Sequence, residues 1–362
     1  MDRKVTPFSH ARAERTGVLV VNLGTPEAPT PAALRRYLAQ FLGDRRVVEI
    51  PRAVWMLILH GIILRVRPAK SARKYASVWT PEGSPLAVHT ARQAKLLQGW
   101  LGERGSLVTV RWAMRYGQPA IAQELDALVA EGCTRVLVFP LYPQYSAATT
   151  ASVFDDVAAW IPRTRRLPEL RFINHYHDDP AWIDALAESV RAHWQREGRA
   201  GVLVMSFHGM PERTLHLGDP YHCECHKSAR LLAERLGLGP DDYRVTFQSR
   251  FGKAKWLQPY TEPTVVALAQ AGTERVDVIC PGFSADCLET LEEISMEVRE
   301  AFLKAGGRTF HYIPCLNEAP AGMAALGALA QRHLAGWPVG THPGPEELQA
   351  RQARAQALGA GQ

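Results

Sequence analysis

The chain has 362 residues, 46% hydrophobic and 22% charged. This is an ordinary globular balance that excludes a disordered chain, a collagen-like fibre and a disulfide-rich miniprotein. Its formal charge of +6 suits an anionic ligand or surface without specifying one. Six scattered cysteines, Cys133, Cys223, Cys225, Cys280, Cys287 and Cys315, make no disulfide framework, so a reducing cytoplasm is the expected compartment.

In chain order, residues 1–16 are polar and basic and read as a tail with no signal-peptide or anchor pattern. Residues 17–22 (GVLVVN) predict a strand. Residues 54–64 are the most apolar stretch, too short to cross a bilayer, which takes about 20 residues. Around them stand Arg45, Arg46, Arg52, Arg65, Arg67, Lys70, Arg73 and Lys74. They read either as a buried helix with solvated flanks or as an exposed apolar lip rimmed by cations, fit for a flat apolar ligand or an anionic membrane surface. Further strands are predicted at 107–114, 135–140, 171–175, 201–207, 243–248 and 275–280, with amphipathic helices such as 121–131 and 228–236. Strands alternating with helices predict an α/β fold with doubly wound parallel sheets. Residues 338–362, rich in Pro, Gly, Ala and Gln, read as a disordered or loosely helical tail.

Three pieces recur in the same order. GVLVVNLGTP at Gly17 matches GVLVMSFHGMP at Gly201, Arg115-Tyr116-Gly117 matches Arg250-Phe251-Gly252, and EGCTRVLV at Glu131 matches AGTERVDV at Ala271. This predicts two similar α/β halves, residues 17–165 and 166–337, with a cleft between them and an insertion near 40–90 in the first. In open α/β sheets, ligands bind beyond the carboxyl ends of the strands.

Four segments at such positions carry chemistry. His208 ends the strand at 201–207; its imidazole is either a structural hydrogen-bonding group or a proton acceptor and metal ligand. After the last strand named, Asp286 and Glu289 have capping-box spacing. That does not account for Glu293 and Glu297, which continue at steps of four along one helical face. Like charges so placed repel by a few tenths of a kcal/mol per pair, unless a cation or moving protons occupy the row. Tyr145 and Ser146, in Tyr142-Pro143-Gln144-Tyr145-Ser146, either meet a ligand or belong to a plain rigid turn. Asn22-Leu23-Gly24-Thr25 ends the first strand and is neither GxGxxG nor a P-loop, so no nucleotide is expected. His222-Cys223-Glu224-Cys225-His226 resembles a metal cluster in composition, but its C-x-C spacing is not that of a zinc knuckle, and it reads mainly as a polar loop.

In combination these motifs resemble the ferrochelatase family: VVNLGTPE, YPQYS, SFHGMP, GDPY at residues 218–221, Gln248-Ser249-Arg250-Phe251-Gly252 with Trp256, and PGFSADCLETLEEI. The resemblance covers residues 17–337. It implies two flavodoxin-like domains and a lyase that inserts Fe(II) into protoporphyrin IX at the last step of haem biosynthesis. It implies His208 and Glu289 as catalytic and metal-binding residues. Glu293 and Glu297 become the proton or metal path, with a π-helical turn aligning the row. Asn22, Leu23, Gly24, Thr25, Tyr145, Ser146 and Trp256 are implied as porphyrin contacts, and residues 54–64 as the lip of the pocket. Some members hold a [2Fe–2S] cluster on a cysteine-rich C-terminal extension. No cysteine follows Cys315, so that cluster is not expected; some bacterial members use cysteines within the body of the chain, which leaves Cys223 and Cys225 open. No resident cofactor is expected, and Fe(II) enters as substrate. Cys287 stands where animal members have histidine. Protoporphyrin IX and ferrous iron are the expected partners, with peripheral membrane association and no nucleic acid. The alternatives are a chelatase for another metal or tetrapyrrole, and a non-catalytic porphyrin carrier.

Overall fold

Residues 17–22 form the middle of β1 (Arg15–Gly24) in the computed structural model, which describes residues 8–360 except 253 and 341. Residues 1–7 of the N-terminal tail lie outside the described residues. Val18, Leu19, Val20 and Val21 are all buried; the run is continuously apolar, not alternating, because helices cover both faces of the sheet. β2 (Val108–Tyr116) and β3 (Cys133–Pro140) flank β1, and β4 (Glu169–Phe172) lies outside β3, all parallel, in the order β2-β1-β3-β4. The second half repeats this arrangement with β5 (Val202–His208), β6 (Tyr243–Gln248), β7 (Arg275–Ile279) and β8 (Thr309–Ile313), in the order β6-β5-β7-β8. β1 and β5, the best-matched pieces of the repeat, are thus equivalent inner strands of two α/β sheets.

The halves share a core. One cluster joins Val18 and Val20 of β1 to Leu203, Met205 and Phe207 of β5 through Leu186 and Val190 of helix Pro180–Glu197 and Leu326 and Leu329 of helix Pro320–His333. Gln93, on helix Pro85–Glu103, donates to the carbonyls of Ser284 and Asn317 at 2.9 and 2.8 Å, and Ser284 Oγ donates to the Leu141 carbonyl at 3.0 Å. These bonds fix the strand ends of one half against those of the other.

Several sequence expectations need correction. β4 belongs to the first sheet, so the first half extends beyond residue 165. β8 was not predicted, because His311 and Tyr312 interrupt its short apolar pattern. The triplets Arg115-Tyr116-Gly117 and Arg250-Phe251-Gly252 are out of register. The equivalent turns close by Met114 N–H to the Pro119 carbonyl and Phe247 N–H to the Pro259 carbonyl, so the triplets begin one and three residues beyond the matching points. His222 to His226 lie not in a loop but in the first turns of helix Tyr221–Leu236. The C-terminal tail contains helix Pro345–Ala357, whose Arg351 Nε donates to the His10 carbonyl at 2.6 Å.

The apolar stretch at 54–64 divides by face. It runs through helix Arg52–Ile58, a π-helical turn Leu59–Ile63 and helix Leu64–Val78. Trp55, Leu59 and Leu64 are buried with Leu34, Tyr37 and Leu38, and Trp55 Nε1 donates to the Leu42 carbonyl at 2.6 Å. Val54, Leu57, Ile62 and Val66 are more than half exposed. One face is thus core and the other an exposed apolar surface.

Candidate active site at the strand ends

β1 delivers Asn22, Leu23, Gly24 and Thr25 to the cleft. Asn22 Nδ2 donates to Thr90 Oγ1 at 3.2 Å, Asn22 Oδ1 accepts the Leu23 N–H at 2.9 Å, and Thr25 Oγ donates to Ser84 Oγ at 2.7 Å. Gly24 has φ +120°, and a Cβ there would lie 1.8 Å from the Tyr116 carbonyl oxygen. Only glycine permits that backbone and that approach.

β5 delivers His208 at the equivalent end. Its Nδ1 lies 2.6 Å from the Gly209 carbonyl oxygen. A carbonyl only accepts, so Nδ1 carries a proton, and in the neutral ring Nε2 offers its lone pair to a proton or a metal. His208 and Glu289 line the same cleft. Glu289 opens a π-helix, Glu289–Val298, and its carbonyl accepts from Gln248 Nε2 at 2.8 Å. The capping box does not form. Asp286 N–H donates to Asn317 Oδ1 at 2.8 Å, and its carboxylate receives Thr290 Oγ1 (2.9 Å), Asn317 Nδ2 (2.7 Å) and Tyr312 OH (2.5 Å). The Glu289 side chain has no part in that cap.

Behind Glu289, Glu293 accepts the Ser249 N–H at 2.7 Å and the Ser249 hydroxyl at 2.5 Å. Ser249 has φ +65°, a left-handed conformation uncommon for a residue with a side chain, and in it both donors reach one carboxylate. Burial raises the Glu293 carboxyl above the ordinary glutamate range, only partly offset by Ser249 and His208. Glu297, the outer member of the row, is half exposed and paired with Lys74 at 2.8 Å; Lys74 also holds Glu292 at 2.9 Å. The helix that carries the apolar lip thus clasps the far end of the glutamate row.

The cleft is open to solvent at its mouth. Its other walls are chiefly apolar and phenolic, with Tyr37, Tyr75, Tyr142, Tyr221, Leu86 and Phe283 prominent. Burial pushes the Tyr37 and Tyr75 hydroxyls well above the usual phenol range, with Glu289 adding to both shifts. They therefore stay protonated and act as donors, and Tyr37 donates to the Gly24 carbonyl at 3.2 Å. The Tyr142 hydroxyl is buried without a hydrogen-bond partner, a polar group available to a ligand. The phenols of Tyr37 and Tyr75 were not found from sequence, because they lie on helices Pro31–Phe41 and Leu64–Val78, outside every motif.

Three proposed contacts are not among the residues lining the cleft. Ser146 is fully buried; its hydroxyl donates to Asp219 Oδ2 at 3.1 Å and caps the turn at Ala148. Tyr145 is held by its N–H, which donates to Glu224 Oε2 at 2.7 Å. Trp256 is buried beside Phe251 and pairs with Pro211. Asp219 and Glu224 are the residues sequence reading passed over. From the GDPY turn and the following helix they hold Tyr145, Ser146 and Ala147, and so the neighbouring wall residue Gln144, in place.

The same fold occurs in SirB from Bacillus subtilis, solved with Fe3+, at a TM-score of 0.52 and 14% identity over 89% of this chain and 96% of that one. It also occurs in a multi-domain Deinococcus radiodurans protein described as structurally similar to chelatases, at a TM-score of 0.50 and 13% identity over 95% of this chain and 59% of that one. The likeness places the chain in the same α/β fold class as these two proteins. The Ferrochelatase family model matches residues 15–334. Ferrochelatases from Methylibium petroleiphilum, 69% identical over 97% of both chains, and Marinobacter nauticus, 54% identical over 96% of this chain and 94% of that one, align almost end to end. The chain belongs to the ferrochelatase family.

Proposed function

We propose that the cleft inserts Fe(II) into protoporphyrin IX, forming protohaem and releasing two protons. The observation that carries this reading is an apolar cleft lined by both an imidazole and a carboxylate, His208 and Glu289, with a second, half-buried carboxylate behind. Metalation requires the pyrrole N–H protons to leave and the nitrogen lone pairs to turn toward the metal. Fe(II) takes imidazole and carboxylate ligands readily. His208 Nε2 accepts a pyrrole proton or presents the metal; Glu289 is its acidic partner; Glu293 and Glu297 lead protons or the cation outward. The apolar and phenolic walls supply the binding energy that distorts the macrocycle. Among the cleft-lining residues none is Lys or Arg, which favours the porphyrin with two carboxylates over coproporphyrin with four. A buried carboxylate without a partner is costly. Comparing the two porphyrins under anaerobic Fe(II) tests this: kcat/KM higher for protoporphyrin is expected, and a preference for coproporphyrin would reassign the substrate.

A carrier needs an apolar pocket and one axial ligand. It has no use for Glu293, a half-buried carboxylate whose charged form is disfavoured by desolvation. That observation favours catalysis over carriage.

We further propose peripheral attachment to the inner face of the cytoplasmic membrane. Among the described residues no helix is long and apolar enough to cross a membrane. The exposed face with Val54, Leu57, Ile62 and Val66 stands among exposed Arg52, Arg65, Arg67 and Lys70, suited to an anionic interface. Leu57→Ser/Ile62→Ser/Val66→Ser should lower partitioning onto anionic vesicles tenfold or more, since each side chain contributes about 1.5–3 kcal/mol when fully removed from water. Vesicle sedimentation with unchanged partitioning would show that this face does not meet lipid. Trp55 is unsuited to the test because its loss damages the core.

No resident [2Fe–2S] cluster is part of this proposal. Cys133, Cys225 and Cys287 belong to three different buried clusters, Cys280 and Cys315 share a fourth, and Cys223 is exposed. A cluster needs four converging ligands. Anaerobically purified protein free of porphyrin should be colourless; iron–sulfur absorption lost on Cys223→Ser/Cys225→Ser would contradict this.

A further inference from the structure

The motif from His222 to His226 brings its glutamate, not its cysteines, to a site. Cys225 is fully buried in the shared core, and His222 stacks on Phe247 with ring centroids 5.7 Å apart. Glu224 turns toward the segment after β4. Its Oε1 lies 2.7 Å from His175 Nδ1 and its Oε2 lies 3.2 Å from His177 Nδ1. His177 is 5% exposed, yet its Nδ1 has no hydrogen-bond partner. A buried ring nitrogen aimed at a carboxylate oxygen without a bond needs an explanation. The three donor atoms lie within 4.8 Å of one another. A tetrahedral ion with bonds of about 2.0–2.1 Å sets its ligand atoms roughly 3.3 Å apart, close to the His177 spacing.

We propose that His175, His177 and Glu224 form a second metal site, outside the cleft, that takes one divalent transition ion such as Zn2+. Two imidazoles and one carboxylate are a sufficient protein donor set and leave a position open to water. The half-exposed His175 opens that position to solvent. Asp178 Oδ2 lies 3.9 Å from His177 Nε2, beyond hydrogen-bond reach. Lys227, the nearby cation, is already paired with Asp178 at 2.5 Å. Because Glu224 also holds the Tyr145 N–H, a bound ion ties the segment behind the cleft wall to the segment after β4. The other His/carboxylate group, His193, Asp277 and His311, is less suited. Arg275 Nε lies 3.1 Å from Asp277 Oδ1 and Trp194 Nε1 2.8 Å from Oδ2, so a resident cation already neutralises its only carboxylate.

Equilibrium dialysis of the full-length, porphyrin-free protein against Zn2+ tests the site. The wild type should bind one equivalent more than His175→Ala or His177→Gln, and Zn2+ should raise its melting temperature more than theirs. His208→Ala, which alters the cleft, should keep the His175-dependent equivalent. His175→Ala alters a half-exposed side chain, and its melting temperature in EDTA should match the wild type, so it decides the question even if His177→Gln folds poorly. Equal Zn2+ stoichiometry in the wild type and His175→Ala would overturn the proposal. Neither result depends on chelatase activity.

Discussion

His208→Ala should lower iron insertion by about 10²–10⁴-fold, the contribution of a positioned acid–base group, while porphyrin still binds. The separation follows from geometry. His208 ends β5 with Nδ1 committed to the Gly209 carbonyl, so its other nitrogen contributes chemistry. The contact area comes instead from the aromatic and aliphatic walls. Porphyrin fluorescence titration with the variant should give a Kd close to that of the wild type, and the loss should appear in kcat. Near-normal turnover would remove His208 from the mechanism; loss of porphyrin binding would make it a packing residue.

Glu289→Gln should be comparably damaging, with Glu293→Gln milder and Glu297→Gln mildest. Glutamine preserves shape and hydrogen bonding but neither takes a proton nor balances a cation. The gradient follows place in the row: Glu289 lines the cleft, Glu293 is half-buried behind it on Ser249, and Glu297 is half exposed on Lys74. Asp286, not Glu289, carries the local structural bonds, so the melting temperature of Glu289→Gln should stay near that of the wild type. A destabilised Glu289→Gln protein with normal specific activity would return Glu289 to a structural role. Glu293 gives a pH signature as well. Its carboxyl is raised in the folded state, so it remains protonated to higher pH than an ordinary glutamate. If its charged form is needed, the acid limb of kcat/KM lies above the ordinary glutamate range and shifts or vanishes in Glu293→Gln. The sign for stability is opposite to that of a salt-bridged carboxylate: stability is greatest below the unfolded pKa and declines as pH rises toward the folded one.

Much of the fold was readable because its inner strands are buried on both faces and therefore appear as uninterrupted apolar runs, as in β1 and β5. The repeat was readable for the same reason. β8 escaped because polar His311 and Tyr312 lie within it. The register of the Arg-Tyr-Gly and Arg-Phe-Gly triplets misled because short identities do not reveal which backbone groups close a turn. In the site, His208 and Glu289 stand at strand and helix ends where position and residue type coincide. Tyr37 and Tyr75 were invisible because tertiary packing brings them to the cleft from two helices outside every motif. Ser146 was recognisable as part of a segment, but its burial on Asp219 depends on a tertiary contact that spacing does not encode. The lip illustrates the limit of composition: one apolar run serves both core and surface, and only the helical face distinguishes Trp55 from Leu57.

The most direct test of catalysis is the amount of haem formed per protein chain. Purified protein at a small fraction of the protoporphyrin concentration, supplied anaerobically with Fe(II), should convert the porphyrin spectrum to that of protohaem over many turnovers, faster than the mixture without protein. Conversion that stops at one equivalent per chain, with no acceleration beyond it, would contradict the account and leave a porphyrin-binding protein in place of an enzyme.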